Sequence, residues 1–160
     1  MSANYCSNAV NFLMLTQIGV NTMDHFSELD EYLAGKMSED YWYDSAIDIC
    51  EDIIQEFSAD DWTELWNTLP HANKQWNIRL IECLGDIQDS RATKCILRLS
   101  SDESKDILIV CIDALRDINL KPELKDIQNL ILRAKKLLES GNESELNKMV
   151  LTAFLNKYEI

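Results

Sequence analysis

The chain has 160 residues and a formal net charge of −13, from 28 acids against 15 bases. That length suits one domain spanning 1–160, and 46% hydrophobic with 27% charged residues excludes wholesale disorder. The acidity excludes nucleic acid or an anionic membrane as the main ligand, since phosphate binding needs clustered Lys and Arg; four glycines and two prolines are too few turn formers for a β-sandwich or barrel, so the chain reads as all-α.

The first segment, about 5–18, favours helix over strand and is followed by Gly19. No Lys or Arg precedes its apolar run, so it does not read as a signal peptide. A helix over 24–34 is opened by Asp24 and closed by Gly35. Ser38 then caps a helix reaching Phe57, with Glu39 and Asp40 in its first turn, where the helix dipole favours anions. Asp60 caps a short helix stopped by Pro70. Further helices follow at about 74–86, 90–100, 104–118, 122–139 and 143–158. Pro122 suits the first turn of its helix, Gly141 lies just past that helix's end, and Asn142 or Ser144 caps the last one. The longest apolar run, 107–112, is far too short to cross a bilayer. Cys6, Cys50, Cys83, Cys95 and Cys111 form no C-x-x-C pair and read as buried free thiols in a reducing cytosol.

The charge is one-sided. Residues 1–70 hold 14 acids and a single base, Lys36, whereas 71–160 hold 14 acids and 14 bases. The whole excess therefore belongs to an acidic N-terminal part, 1–70, and a charge-balanced part, 71–160, follows it. A localised excess makes a field that steers a basic partner. On the helix from Ser38 to Phe57, at 100° per residue, Asp40, Asp48, Glu51 and Gln55 fall within about 40° of Asp44. Trp42, Ala46, Ile49, Cys50, Ile53 and Phe57 fall on the opposite side. Asp40–Asp44, Asp44–Asp48, Asp48–Asp52 and Asp52–Glu56 are like-charge pairs four apart, each destabilising the helix by roughly 0.2–0.5 kcal/mol. A solvated acidic face is the bland account; a face kept for a partner explains why no lysine relieves the repulsion. Trp42, Trp62 and Trp66 are expected mostly in the core. Tyr41 and Tyr43 are expected to flank the carboxylates, a composition common at protein-binding hot spots.

The second half repeats itself. KQWNIRLIECLGD at 74–86 and KDILIVCIDALRD at 105–117 align at an offset of 31, with Lys74/Lys105, Ile78/Ile109, Ile81/Ile112, Leu84/Leu115 and Asp86/Asp117 coinciding. Leu84-Gly85-Asp86, Asp89-Ser90-Arg91-Ala92, Leu97-Arg98-Leu99, Asp106 and Ala114-Leu115 resemble the HEAT-like repeat, although Arg116 stands where that repeat often has glycine. The resemblance covers about 74–118 and extends weakly to 60–73 and 122–158. It implies a right-handed α-α superhelix, a short solenoid of about eight or nine helices. It also implies that Arg79, Asp86, Asp89 and Arg91 link adjacent repeats rather than catalyse.

Chemistry-bearing motifs are absent from the sequence. His25 and His71 belong to no metal-spaced set, His25 reads as a surface partner of Glu28, and no P-loop, G-x-S-x-G or G-x-G-x-x-G occurs. No enzyme, cofactor or metal is expected. In size, charge and architecture the chain resembles bacterial toxin-immunity proteins of the contact-dependent growth inhibition type. That resemblance implies a cytoplasmic monomer that binds a basic toxin, foremost a nuclease, 1:1, with neither nucleic acid nor membrane as partner. The expected partner-binding residues are Asp40, Tyr43, Asp44, Asp48, Glu51, Asp52 and Glu56. The alternative is a HEAT-like adaptor or scaffold holding another cytosolic protein on the second helices of its pairs, 74–86, 104–118 and 143–158. An enzyme akin to HEAT-like bilin lyases has only the repeat in its favour.

Overall fold

Helix starts in this chain are set by short polar side chains that accept the first free backbone N–H groups. In the structure, a computed structural model describing residues 24–118 and 123–158, Asp24 caps α1 (His25–Ala34) by accepting from Ser27 N at 2.7 Å. Ser38 caps α2, which runs as Glu39–Tyr41, a π turn at Trp42–Ala46, and Ile47–Gln55. The helices that follow are α3 (Ala59–Thr68), α4 (Lys74–Leu84), α5 (Ser90–Leu99), α6 (Lys105–Asp117), α7 (Leu124–Ser140) and α8 (Glu145–Tyr158). The described residues are all-α. The expected helix at 5–18 and the placement of Pro122 lie outside them.

Two local expectations are corrected. The cap of α3 is Ser58, not Asp60. Ser58 Oγ accepts from Asp61 N while the Asp61 carboxylate accepts from Ser58 N at 2.8 Å, a reciprocal box that Asp60, one residue late, cannot make. Asp61 is buried and also accepts from Phe26 N at 3.0 Å, which ties α3 to the start of α1; His25 lies 3.9 Å from this same carboxylate, not paired with Glu28 as expected. Gly35 closes α1 in extended backbone, whereas Gly141 ends α7 at φ 70°, the left-handed conformation that favours glycine.

The helices pair in sequence and stack. α1 packs on α2, α5 on α6 and α7 on α8, while α2, α4, α6 and α8 form a continuous row in which each touches the next. One hydrophobic cluster runs from Phe26 to Tyr158 through all the pairs. The 31-residue offset holds in the core: Trp76, Leu80, Ile81, Leu84 and Ile87 of the α4 unit are buried, and so are Ile107, Cys111, Ile112, Leu115 and Ile118 of the α6 unit. Cys50, Cys83, Cys95 and Cys111 are buried free thiols, as expected, and Cys6 lies outside the described residues.

Cations placed at helix ends join successive units, where the carbonyl ends of helices favour positive charge. Arg79 on α4 donates to the carbonyls of Leu33 (3.0 Å) and Gly35 (2.7 Å) at the end of α1. Arg98 on α5 donates to Trp66 O on α3, Arg133 on α7 to Ser100 O and Asp102 O after α5, and Lys157 on α8 to carbonyls at the end of α6. Lys74 pairs with Asp106 on α6, and its repeat counterpart Lys105 pairs with the buried Glu143 before α8. Arg79 therefore links repeats as expected. Asp89 pairs with Arg91 in the first turn of α5, because an Arg two residues after its cap is within reach of the capping carboxylate, and Arg91 also stacks over Trp62 of α3, 4.9 Å from the ring centroid.

Arg79→Ala removes two charge-assisted hydrogen bonds and orphans two carbonyls. It is expected to lower stability by about 2–4 kcal/mol in urea unfolding. A midpoint equal to that of the unaltered chain would contradict this role for Arg79.

Candidate functional site: a carboxylate face across three helices

The two faces of α2 separate as the wheel predicts. Trp42, Ala46, Cys50, Ile53 and Ile54 are buried, while Asp40, Tyr43, Asp44, Asp48, Asp52 and Glu56 are exposed and Glu51 is half-buried. The π turn sharpens that separation. In an α-helix a spacing of four drifts by roughly 40° per step. A turn with i→i+5 bonding holds more residues and takes up part of this drift. Asp40, Asp44 and Asp48 therefore lie in a straighter line than an unbroken α-helix would give them, and Trp42, Ala46 and Cys50 do so on the buried side.

Trp42 fixes α2 against α4. Its ring lies over the Arg79 guanidinium, 5.0 Å from the ring centroid, and its Nε1 donates to Glu82 Oε2 at 2.7 Å. The next residue, Tyr43, donates its hydroxyl to the other oxygen of Glu82 at 3.1 Å. Glu82 thus accepts from two aromatic side chains of α2 and holds the acidic helix in place. Burial, then the charge of Glu82, raise the Tyr43 phenol above its ordinary pKa.

The acidic surface continues beyond α2. Tyr43, Glu82 and Asp86 of the α2–α4 junction line a groove of about 240 Å³ with Asp113 and Asp117 of α6. The repeat explains the alignment: Glu82 and Asp113, like Asp86 and Asp117, are 31 apart and occupy the same face of successive helices. Gly85 and Ala114 also line this groove, and a Cβ added at Gly85 would sit 3.4 Å from Ala114 Cβ, an ordinary contact. Arg116 pairs with Asp113 at 2.6 Å and lies 3.5 Å from Asp117, so the α6 end is partly neutralised and the excess is strongest from α2 to Asp86.

Glu51 reports this crowding. Its pKa is pushed up to about 7, by burial first and then by the charges of Asp86, Asp48 and Asp52. Of the expected residues, Tyr43 is brought onto Glu82, and Asp48, Glu51 and Asp52 are brought into the field of Asp86. Asp40, Asp44 and Glu56 are exposed along α2 and enter neither cluster. Asp86 is corrected from a repeat-linking residue to an exposed member of the acidic face. Glu82, Asp113 and Asp117 were missed because summing charge over 71–160 cancels them against distant lysines. The offset that aligns Asp86 with Asp117 carries the signal that finds them. Trp66 is also corrected: it is 41% exposed, beneath Arg98, while Trp42, Trp62 and Trp76 are buried.

Among the described residues, no group of three or more His, Cys, Asp or Glu is arranged to hold a metal ion, and no helix is long and apolar enough to cross a membrane. No protein-family model, curated protein or solved structure matches this chain.

Because Glu51 binds its proton more tightly when folded than when unfolded, its contribution to stability is fully present below about pH 4.5 and is lost as pH rises through about 7. Glu51→Gln is therefore expected to flatten the decline in unfolding free energy between pH 5 and 8, and to make the variant the more stable protein at pH 8. A decline of the same slope in both proteins would contradict the coupling.

Proposed function

We propose that the chain is a cytoplasmic immunity protein. It neutralises a basic bacterial toxin, a nuclease foremost, in a 1:1 complex, covering the toxin's active site with the carboxylate face of α2, α4 and α6. The paired helices then form the short right-handed HEAT-like superhelix that displays this face. The observation that supports the reading best is continuity: α2 carries six acids and no base over Glu39–Gln55, and its stripe runs on through Asp86 to the groove with Asp113 and Asp117.

The physics suits a substrate mimic. A row of carboxylates on a rigid helical surface presents anions much as a phosphate backbone does, to a site built to bind phosphates. The repulsion stored among Asp48, Glu51, Asp52 and Asp86 is relieved when cations arrive. The exposed Tyr41 and Tyr43, 45% and 62% accessible, supply aromatic area at the margin of the stripe. The adaptor reading draws on a different feature, Leu146 and Met149 at the α8 end, each 69% exposed and beyond the acidic groove.

Co-expression with the toxin encoded beside its own gene is expected to restore growth. Association with that toxin is expected to slow steeply as salt rises. Asp44→Lys with Asp48→Lys should reduce the on-rate by about tenfold or more at low salt, with the off-rate changed less. An on-rate insensitive to salt and to both reversals would remove the acidic face from the interface.

A further inference from the structure

A pair of thiols lies inside the α2–α4 interface. Cys50 on α2 and Cys83 on α4 are both free and both fully buried. Neighbouring contacts bracket them. On one side, Trp42 of α2 lies over Arg79 and donates to Glu82 of α4. On the other, Ile54 and Gln55 of α2 share a groove with Asp86 and Ile87 at the end of α4. Positions advance along both helices in the same direction, so Cys50 and Cys83 fall between these two sets and meet across the interface. There the Cys83 S–H donates to Cys50 Sγ.

The described cysteines are not equivalent. The hydrogen bond from Cys83 first, and the charge of Arg79 with it, hold the Cys50 thiol below its ordinary pKa against the opposing effect of burial. Arg79 has capacity left for this: its Nη1 serves two carbonyls of α1, while its buried Nε has no hydrogen-bond partner among the described residues. Elsewhere the thiols are inert. Burial pushes Cys95 up to about 12 and raises Cys111 as well, and Cys111 is engaged as a donor to Ile96 O.

We propose that Cys50 and Cys83 form a redox site whose substrate is a small hydroperoxide and whose oxidised form is a disulfide clamping α2 to α4. The Cys50 thiolate attacks a peroxide oxygen. The O–O bond breaks, Cys50 becomes a sulfenic acid, and the departing hydroxide takes up the Cys50 proton as water. Cys83 sulfur then attacks the sulfenic sulfur; the S–S bond forms, the S–O bond breaks, and the oxygen leaves with the Cys83 proton as a second water. The two thiols lose two electrons and the peroxide gains them. Local opening of α2 admits the oxidant, and the unrelieved carboxylates along α2 favour that opening. A thiol reductant reverses the reaction.

The test treats the folded full chain with hydrogen peroxide, blocks remaining thiols with iodoacetamide in denaturant, and maps tryptic peptides by mass. A reductant-sensitive species joining peptides 37–74 and 80–91, two hydrogens lighter than their sum, is expected. It should exceed oxidation at Cys95 or Cys111 by roughly tenfold or more, and Cys50→Ala should abolish it. The oxidised chain should keep its helical circular dichroism and unfold at higher urea, returning to the original midpoint with dithiothreitol. Equal oxidation of all the thiols, a cross-link formed only in denaturant, or a lower urea midpoint after oxidation would overturn the proposal. The peptide map on the unaltered chain decides this even if Cys50→Ala fails to fold.

Discussion

The contact on which the arrangement depends is the stack of Arg79 beneath Trp42. Helix α2 carries six acids and no base over Glu39–Gln55, so its docking on a row that already holds Glu82 and Asp86 is opposed by repulsion. A buried guanidinium under the Trp42 ring offsets part of that repulsion, and the two carbonyls at the end of α1 hold the guanidinium in place. The indole N–H then turns Glu82 from a repelling neighbour into an acceptor. One cation, one ring and one carboxylate thus set the register between α2 and α4, and α4 passes it to α6 through close packing at Gly85 and Ala114. Without that register the stripe on α2 and the carboxylates of the repeat would be separate features.

Acidity on this face is therefore an arranged property. Some of its carboxylates are committed inside the fold: Glu82 to Trp42 and Tyr43, and Asp113 to Arg116. Others remain unmatched and crowded: burial first, and then the charges of Asp86, Asp48 and Asp52, push the Glu51 carboxyl up to about 7. A surface in this condition is stabilised when cations approach and is destabilised when left bare. In the layer of odd-numbered helices, Arg91 and Arg98 stack on Trp62 and Trp66, and Arg98 donates to the carbonyl of Trp66 near the end of α3.

Much of the fold was legible because helix caps are local chemistry. Asp24, Ser38 and Gly141 fall where the sequence pattern places them, and the 31-residue offset lines up the buried positions of α4 and α6. The cap of α3 was misread because two acids follow Ser58, and only the reciprocal box with Asp61 distinguishes them. The π turn at Trp42–Ala46 has no local signature. It is imposed by the need to bury Trp42, Ala46, Cys50 and Ile54 in one line against neighbouring helices. The stripe on α2 was legible from helical spacing alone. Its continuation was not, because Asp86 and Asp117 become neighbours of Tyr43 and Glu51 only through tertiary packing. Trp66 was misplaced for a similar reason: hydrophobicity assigns a tryptophan to the core, but this one lies exposed beneath Arg98.

Whether α2 and α4 present one electrostatic face is measured most directly on Glu51. Its side-chain carboxyl carbon is followed by NMR through a pH titration, in the unaltered chain and in an Asp86→Asn variant. A single continuous face predicts a titration midpoint near 7 that falls toward the ordinary glutamate range once the Asp86 charge is removed. A midpoint that does not move, or one that lies near 4.5 in both proteins, would contradict the joining of the α2 stripe to the repeat and leave two unrelated acidic patches.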